Sequence, residues 1–292
     1  MTDRPVLSLI LALTAAVLAG LALLRTVTGP AADRPPAEAR LSLSETRSDI
    51  ALPDIAGGRD DGRPLVVIDP GHGGFDPGAT SADYREKDLV LALASALRDR
   101  LVTQGEVRVA LTRNEDRYLT LAERTEIARR LGADLFVSLH ADSGGENADV
   151  AGASIYTLSE DASSREARRF AERENRAGQI NGQELGGQSE AVSAILFDLS
   201  QRRTRAQSDA FADLVEREGA GLIDFHPQTR RSAALQVLRA PDVPSILFEA
   251  GFITNASDAQ RLASDAGRER FAQAMASAIR IYFIRQENAA AP

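Results

Sequence analysis

Val67-Ile68-Asp69-Pro70-Gly71-His72-Gly73-Gly74 is an apolar run that breaks into glycines, as a buried strand does where it ends in a tight turn. A phosphate-binding loop can begin this way but closes on Lys followed by Ser or Thr. Here Phe75-Asp76-Pro77-Gly78 follows instead, so the glycines serve turns around His72 and bring its imidazole to a strand end. Outward from this stretch, strand and helix patterns alternate. Strands are expected at Leu65–Asp69, Val107–Thr112, Ala133–His140, Ser154–Leu158 and Ser245–Glu249. Helical spacing marks Lys87–Val102, Leu119–Leu131, Ser208–Glu218 and Asp258–Ile284, the last with Phe271, Met275, Ala278 and Tyr282 on one stripe. Leu135-Phe136-Val137 is continuously apolar, as befits a strand buried on both faces. The alternation predicts an α/β fold, a mostly parallel twisted sheet flanked by helices.

With 292 residues, 43% of them hydrophobic, the chain can bury a sizeable core. A formal net charge of −8 argues against a nucleic-acid partner, since nothing would neutralise a phosphate backbone in bulk. There are no cysteines, so thiolate ligation and thiol nucleophiles are excluded, and any metal must be held by His, Asp and Glu. The N-terminus carries an uncharged apolar run from Val6 to Leu24, near the ~20 residues that span a bilayer. Residues 1–25 are therefore expected to be a signal peptide or membrane anchor, which places the rest outside the cytoplasmic membrane. Residues 26–63, rich in Pro, Ala, Asp, Arg and Gly, are expected to be a flexible linker, 64–286 the folded domain, and 287–292 a tail.

Ligands of such sheets bind beyond the carboxyl ends of the strands. His72 and His140 end two expected strands, Glu249 ends the last, and Glu86 opens the first helix. Taken singly, each has a structural explanation. A histidine after a strand is commonly a hydrogen-bonded loop residue, Glu86 suits a helix N-terminus, and Glu249 could pair with Arg113 or Arg124. Together they gather two imidazoles and two carboxylates on one sheet edge. Two imidazoles and one carboxylate form a set that suits zinc with a position open for water.

Val67 to Ala79 (VIDPGHGGFDPGA), Glu86-Lys87-Asp88, Ser138-Leu139-His140-Ala141-Asp142 and Pro244 to Asn255 (PSILFEAGFITN) follow one another in an order that resembles the zinc-dependent N-acetylmuramoyl-L-alanine amidases of bacterial cell walls. The resemblance runs from about residue 64 to 284. It implies one Zn²⁺ per chain held by His72, Glu86 and His140, with Glu249 as the catalytic carboxylate, in a single catalytic domain. The substrate would be peptidoglycan, cleaved between the muramic acid lactyl group and L-alanine, in the periplasm and by a monomer. Asp69 and Asp142 are candidates for orienting the imidazoles. The ligand set alone would also admit a zinc carboxypeptidase or deacetylase of cell-wall fragments, or a silent wall-binding regulator.

Between residues 159 and 205 the alternation stops. Ala167, Phe170, Ala171 and Glu174 share one helix face, so a glutamate stands where burial is expected. After Gly178, Gly182, Gly186 and Gly187, the residues Val192, Ile195, Leu196 and Leu199 repeat the spacing. A surface helical hairpin would look the same. The division-type members of the resembled family imply more, a regulatory helix whose glutamate covers the zinc until a protein activator displaces it. Glu174 is the expected contact, with Glu172 and Glu184 as alternatives, and the second helix, with Phe197 off its stripe, is the expected docking surface for the activator. His226, before Pro227, is expected to be a structural histidine in a loop.

Overall fold

The computed structural model describes residues 50–58, 62–177 and 193–290. All of them fall in one compact unit, Asp49–Pro292. The apolar run Val6–Leu24 and linker residues 26–49 lie outside them, and among the described residues no helix is long and apolar enough to cross a membrane.

The strands are β1 Ile55–Ala56, β2 Leu65–Pro70, β3 Arg108–Leu111, β4 Leu135–Asp142, β5 Ala153–Leu158, β6 Phe225–Ala233 and β7 Ser245–Phe252. The helices are α1 Glu86–Gln104, α2 Leu121–Arg130, α3 Arg165–Ala177, α4 Ser193–Gly219, α5 Ala256–Ala263 and α6 Asp265–Ala290, with a 3₁₀ turn at Gln236–Leu238. One sheet runs in the order β1-β3-β2-β4-β7-β5-β6. Strands β3, β2, β4 and β7 are mutually parallel, while β1 is antiparallel to β3 and β5 to β7. The carboxyl ends of β2, β4 and β7 therefore share an edge with the start of β5.

Alternation along β2 divides the core. Val66 and Ile68 face the layer of α1, α4 and α6, where Leu93, Phe211 and Ile279 are buried. Leu65 and Val67 face the opposite layer, built from Ala128 of α2, Ala167 and Phe170 of α3, and Val237. α1 opens with Glu86 and Asp88 in its first turn, favoured there by the helix dipole, and stops at Gly105, whose left-handed φ of 75° lets its N–H reach Leu101. α2 starts on a capping box between Thr120 and Glu123.

Four sequence expectations change. The stretch expected as a linker, 26–63, contains β1, which pairs with the β3 edge, and ends in Arg63, which donates to the carbonyl of Gly105 at 2.6 Å. Two residues are too short a strand to leave an alternating pattern. Strand β6 was not expected, because Phe-His-Pro-Gln-Thr-Arg-Arg-Ser-Ala carries a proline and polar side chains that only an edge strand tolerates. The segments expected as a second insertion helix and as Ser208–Glu218 are one helix, α4. The C-terminal helix breaks at Ser264, whose hydroxyl accepts from Gly267 N to start α6, and α6 continues to Ala290, into the stretch expected as a tail.

Candidate metal centre

The turn after β2 is held from both sides. Gly71 N donates to the carbonyl of Leu139 at 2.9 Å, and Gly73 and Asp76 close a bridge of 2.9 and 3.2 Å. His72 itself sits at φ 56°, a left-handed conformation rarely taken by a residue with a side chain. Two buried arginines collect the carbonyls of the turn. Arg113 donates to Pro70 and Gly71, and Arg124 to Pro70 and His72, at 2.7–3.0 Å. Asp76 Oδ2 lies 2.8 Å from His72 Nδ1, which fixes the ring and leaves Nε2 buried with no hydrogen-bond partner among the described residues. The imidazoles lie where β-carbons are missing. A Cβ at Gly71 would stand 2.5 Å from the His140 ring, and one at Gly78, whose φ is 67°, would meet both His72 and Glu86 at 2.5–2.6 Å.

Glu86 enters from the first turn of α1. Its Oε2 accepts from Ala79 N at 2.8 Å, while Oε1 accepts from Ala141 N at 2.9 Å, beside a β-bulge between β4 and β7. That Oε1 is 3.2 Å from His72 Nε2 and 3.0 Å from His140 Nδ1. From the opposite layer, α3 delivers Glu174, 7% exposed, with Oε2 at 3.6 Å from His72 Nε2 and 3.5 Å from His140 Nδ1. The ligand atoms of His72, His140 and Glu174 lie within 4.8 Å of one another. Glu249 is the register partner of His140 across β4 and β7, so both side chains leave the same face, and both Glu249 oxygens are buried without a hydrogen-bond partner among the described residues.

The electrostatics follow from this crowding. Burial pushes the Glu249 carboxyl well above the usual range, and Asp142, Glu86 and Glu174 push the same way. Burial opposes protonation of His72, but Glu86, Asp76 and Glu174 outweigh it and raise the imidazole well above its ordinary value. Burial likewise opposes ionisation of Glu86, but the two histidines hold it well below the carboxylate range.

His72, Glu86, His140, Glu249 and Glu174 are thus brought together. Asp69 and Asp142 do not touch an imidazole. Asp69 is occupied by Arg124 at 2.7 Å, by Thr112 and by Ser138, and reaches His72 only through Arg124 and the backbone. Asp142 pairs with Arg173 of α3, and burial lifts its carboxyl to about 6. The carboxylate that does orient His72 is Asp76, which belongs to the same motif but lies in a turn, where no periodicity singles it out. Arg113 and Arg124 serve the turn rather than Glu249. Glu172 is exposed, which removes it as an alternative to Glu174, and Glu184 lies outside the described residues, as do the side chains of Ile195 to Leu199. His226 lies in β6 and not in a loop, its ring 3.0 Å from Arg231 Nη2.

Residues 66–280 match the Amidase_3 family model, described as N-acetylmuramoyl-L-alanine amidase. Similar proteins include the N-acetylmuramoyl-L-alanine amidase AmiA of Salmonella typhimurium, 40% identical over 75% of this chain and 76% of that protein. AmiA of Escherichia coli K12 is 39% identical over 76% of this chain and 77% of its own length. Among solved structures, the amidase AmiC2 of Nostoc punctiforme superposes with a TM-score of 0.52 at 29% identity, covering 77% of this chain and all of that one. The CwlD amidase of Clostridioides difficile, solved with the GerS lipoprotein, has a TM-score of 0.57 at 22% identity over 76% of this chain and all of its own, and shares the fold. The chain belongs to the N-acetylmuramoyl-L-alanine amidase family, and its reaction is hydrolysis of the amide between the lactyl group of muramic acid and L-alanine in peptidoglycan.

Proposed function

We propose that the hydrolysis depends on one zinc ion held by His72 Nε2, Glu86 Oε1 and His140 Nδ1, with Glu249 as the proton carrier, and that α3 holds the enzyme shut. The observation that carries this reading is the spacing of the donor atoms. The separations of 3.0, 3.2, 3.5 and 3.6 Å between the two ring nitrogens and the oxygens of Glu86 and Glu174 suit a tetrahedral ion. Bonds of ~2.0–2.2 Å to N and O give edges of roughly 3.3–3.6 Å. The orphaned Nε2 of His72 supports it as well, because a buried ring nitrogen without a partner is costly unless it ligates.

Bound there, zinc would acidify a water and polarise the amide carbonyl. The protein supplies the remainder. Asp76 holds His72 Nδ1, so that Nε2 faces inward. Glu249 takes the proton of the attacking water on a carboxylate oxygen and passes it to the departing L-alanine nitrogen. Its burial and acidic neighbours raise its proton affinity well above that of an ordinary carboxylate, which favours holding a proton between the two transfers. Glu174 fills the side of the cluster that the substrate carbonyl must approach. α3 is pinned there by Phe170 stacked on Tyr156 at 4.5 Å, by Arg173 on Asp142, and by Asn175, which bridges Ala234 O and Gln236 N. A protein activator acting on residues 159–205 would withdraw it. The enzyme would work in the periplasm on peptidoglycan, as a monomer, during cell separation, with residues 1–25 as signal or anchor, the stretch from residue 26 to the start of β1 as a tether and the folded unit from β1 through α6 carrying the catalytic machinery.

Digestion of purified sacculi by the full chain tests the reading. Stem peptides bearing N-terminal L-alanine are expected, lost on chelation and restored by zinc, with about one zinc per chain. Cleavage insensitive to chelation, or equal zinc binding by the His72→Ala/His140→Ala double variant, would refute it.

A further inference from the structure

A polar strip continues from Glu249 across the sheet, away from the ligand cluster. Glu249 pairs in register with Ser154 on β5, and Tyr156, two residues on, pairs with Arg231 on β6. Register partners, and residues two apart on one strand, share a face, so His140, Glu249, Ser154, Tyr156 and Arg231 line the same side of the sheet. Two features of this strip have no use in the chemistry described above. The Ser154 hydroxyl is 2% exposed and has no hydrogen-bond partner among the described residues, beside the equally unpartnered Glu249. A buried hydroxyl left that way is costly unless something else satisfies it. The second is Arg231, which makes no ion pair among the described residues. Its Nε donates to Gln228 O at 3.1 Å, Nη1 to the Tyr156 hydroxyl at 3.2 Å and Nη2 to His226 Nδ1 at 3.0 Å, and the guanidinium lies 5.9 Å over the Tyr156 ring. These contacts aim the charge without neutralising it. The neighbouring Arg230 differs, since it pairs with Asp209 and Asp213 of α4.

The backbone here is built for the purpose of placing side chains. Between Ala153 and Ile155 of β5 the partner strand advances from Phe225 to Arg230, so residues 226–229 bulge out at the rim of the site. The bulge is closed on itself by Gln228 N to His226 Nδ1 at 3.0 Å and Thr229 Oγ1 to His226 O at 3.0 Å.

We propose that this strip is the subsite for the stem peptide, with Arg231 binding a free carboxylate on the residue beyond L-alanine and Ser154 hydrogen-bonding the peptide between that carboxylate and the scissile amide. The proposal rests on Glu249 and its neighbours being the reaction centre. The reach agrees. Arg231 is two strands across and two residues along from Glu249, ~12 Å between backbones at the usual strand spacing and rise. A carboxyl one residue past L-alanine lies ~7 Å from the scissile nitrogen in an extended peptide, within range of a long side chain pointing inward. The second N–H of each Nη nitrogen and the charge, which meets no carboxylate among the described residues, suit a carboxylate. Since Phe170 stacks on Tyr156 in this strip, peptide and α3 compete for the same ground.

Two soluble glycan-peptide substrates, identical except that the carboxylate of the second stem residue is free or amidated, test it with the full chain. The wild type should prefer the free acid by about 10- to 100-fold in kcat/KM, as loss of a charged hydrogen bond implies, mainly through KM. Arg231→Gln should erase the preference by slowing the free acid alone, and Arg231→Lys should restore part of it. Equal cleavage of both substrates by the wild type, or equal slowing of both by Arg231→Gln, would overturn the subsite while leaving the reaction centre standing. Failure of the Glu174→Ala chain, in which α3 no longer closes the site, to cleave either would overturn the reaction centre and the subsite together.

Discussion

His72 is held in a conformation that costs of order 1 kcal/mol for a residue with a β-carbon. The bond from Arg124 to its carbonyl and the contact of Asp76 with its ring offset that cost and aim Nε2. The flanking glycines have different tasks, which the sequence cannot separate. Gly71 has an ordinary φ; its requirement is closeness, because the His140 ring occupies the space of its missing side chain. Gly71→Ala should therefore displace His140 by a fraction of an ångström or more while leaving the sheet folded. Misplacement on that scale costs about 10²-fold in rate, so the variant should lose sacculus hydrolysis by at least that factor and bind well under one zinc per chain. Full zinc content with wild-type turnover would show that the approach at Gly71 is not a constraint. What was legible in this motif were the turn and the histidine; Asp76 was not, since a loop side chain that reaches back four residues follows no repeat.

At the scale of elements, α3 was legible in detail because its pattern is amphipathic. Ala167, Phe170, Ala171 and Glu174 are all buried on the face that the 3.6-residue period predicts. The carboxylate is tolerated there because it faces two imidazoles and Arg173, whose Nε is 3.3 Å from Oε1. β6 was illegible for the opposite reason. An edge strand that carries a bulge, a proline and arginines shows no alternation, so His226 and Arg231 could not be placed from sequence. If Glu174 closes the site, Glu174→Ala should raise basal hydrolysis of sacculi by roughly 10-fold or more, since removing a competing contact worth ~1.4 kcal/mol is tenfold. The decisive comparison is with Glu172→Ala, an exposed neighbour on the same helix, which should leave the rate unchanged. Equal rates for both variants would return α3 to a structural role.

Across the whole molecule, the parallel core strands announced themselves through unbroken apolar runs, and their carboxyl-end residues through the chain positions at which those runs stop. The polar network that binds the layers did not, because its members are far apart in sequence. Asp69 Oδ1 accepts from Arg124 of α2 and from Thr112 just past β3, while Oδ2 accepts from Ser138 of β4. Arg124 passes the constraint on to Pro70 and His72. One carboxylate thus joins three strands and a helix beneath the turn that carries His72. Burial opposes its ionisation, but the Arg124 guanidinium and the three hydrogen bonds win and hold it below the usual carboxylate range. An acid whose folded pKa is depressed stabilises the fold in full above its unfolded pKa of ~3.9 and loses that contribution as pH falls through the folded value. Asp69→Asn strands Arg124 in the core, for which about 3–5 kcal/mol is expected. The difference in Tm between wild type and Asp69→Asn should therefore be large and constant from about pH 7 to 5 and should narrow on titration below ~pH 4. A difference that stays the same down to pH 3 in thermal unfolding would mean that the carboxylate charge is not what holds these layers together.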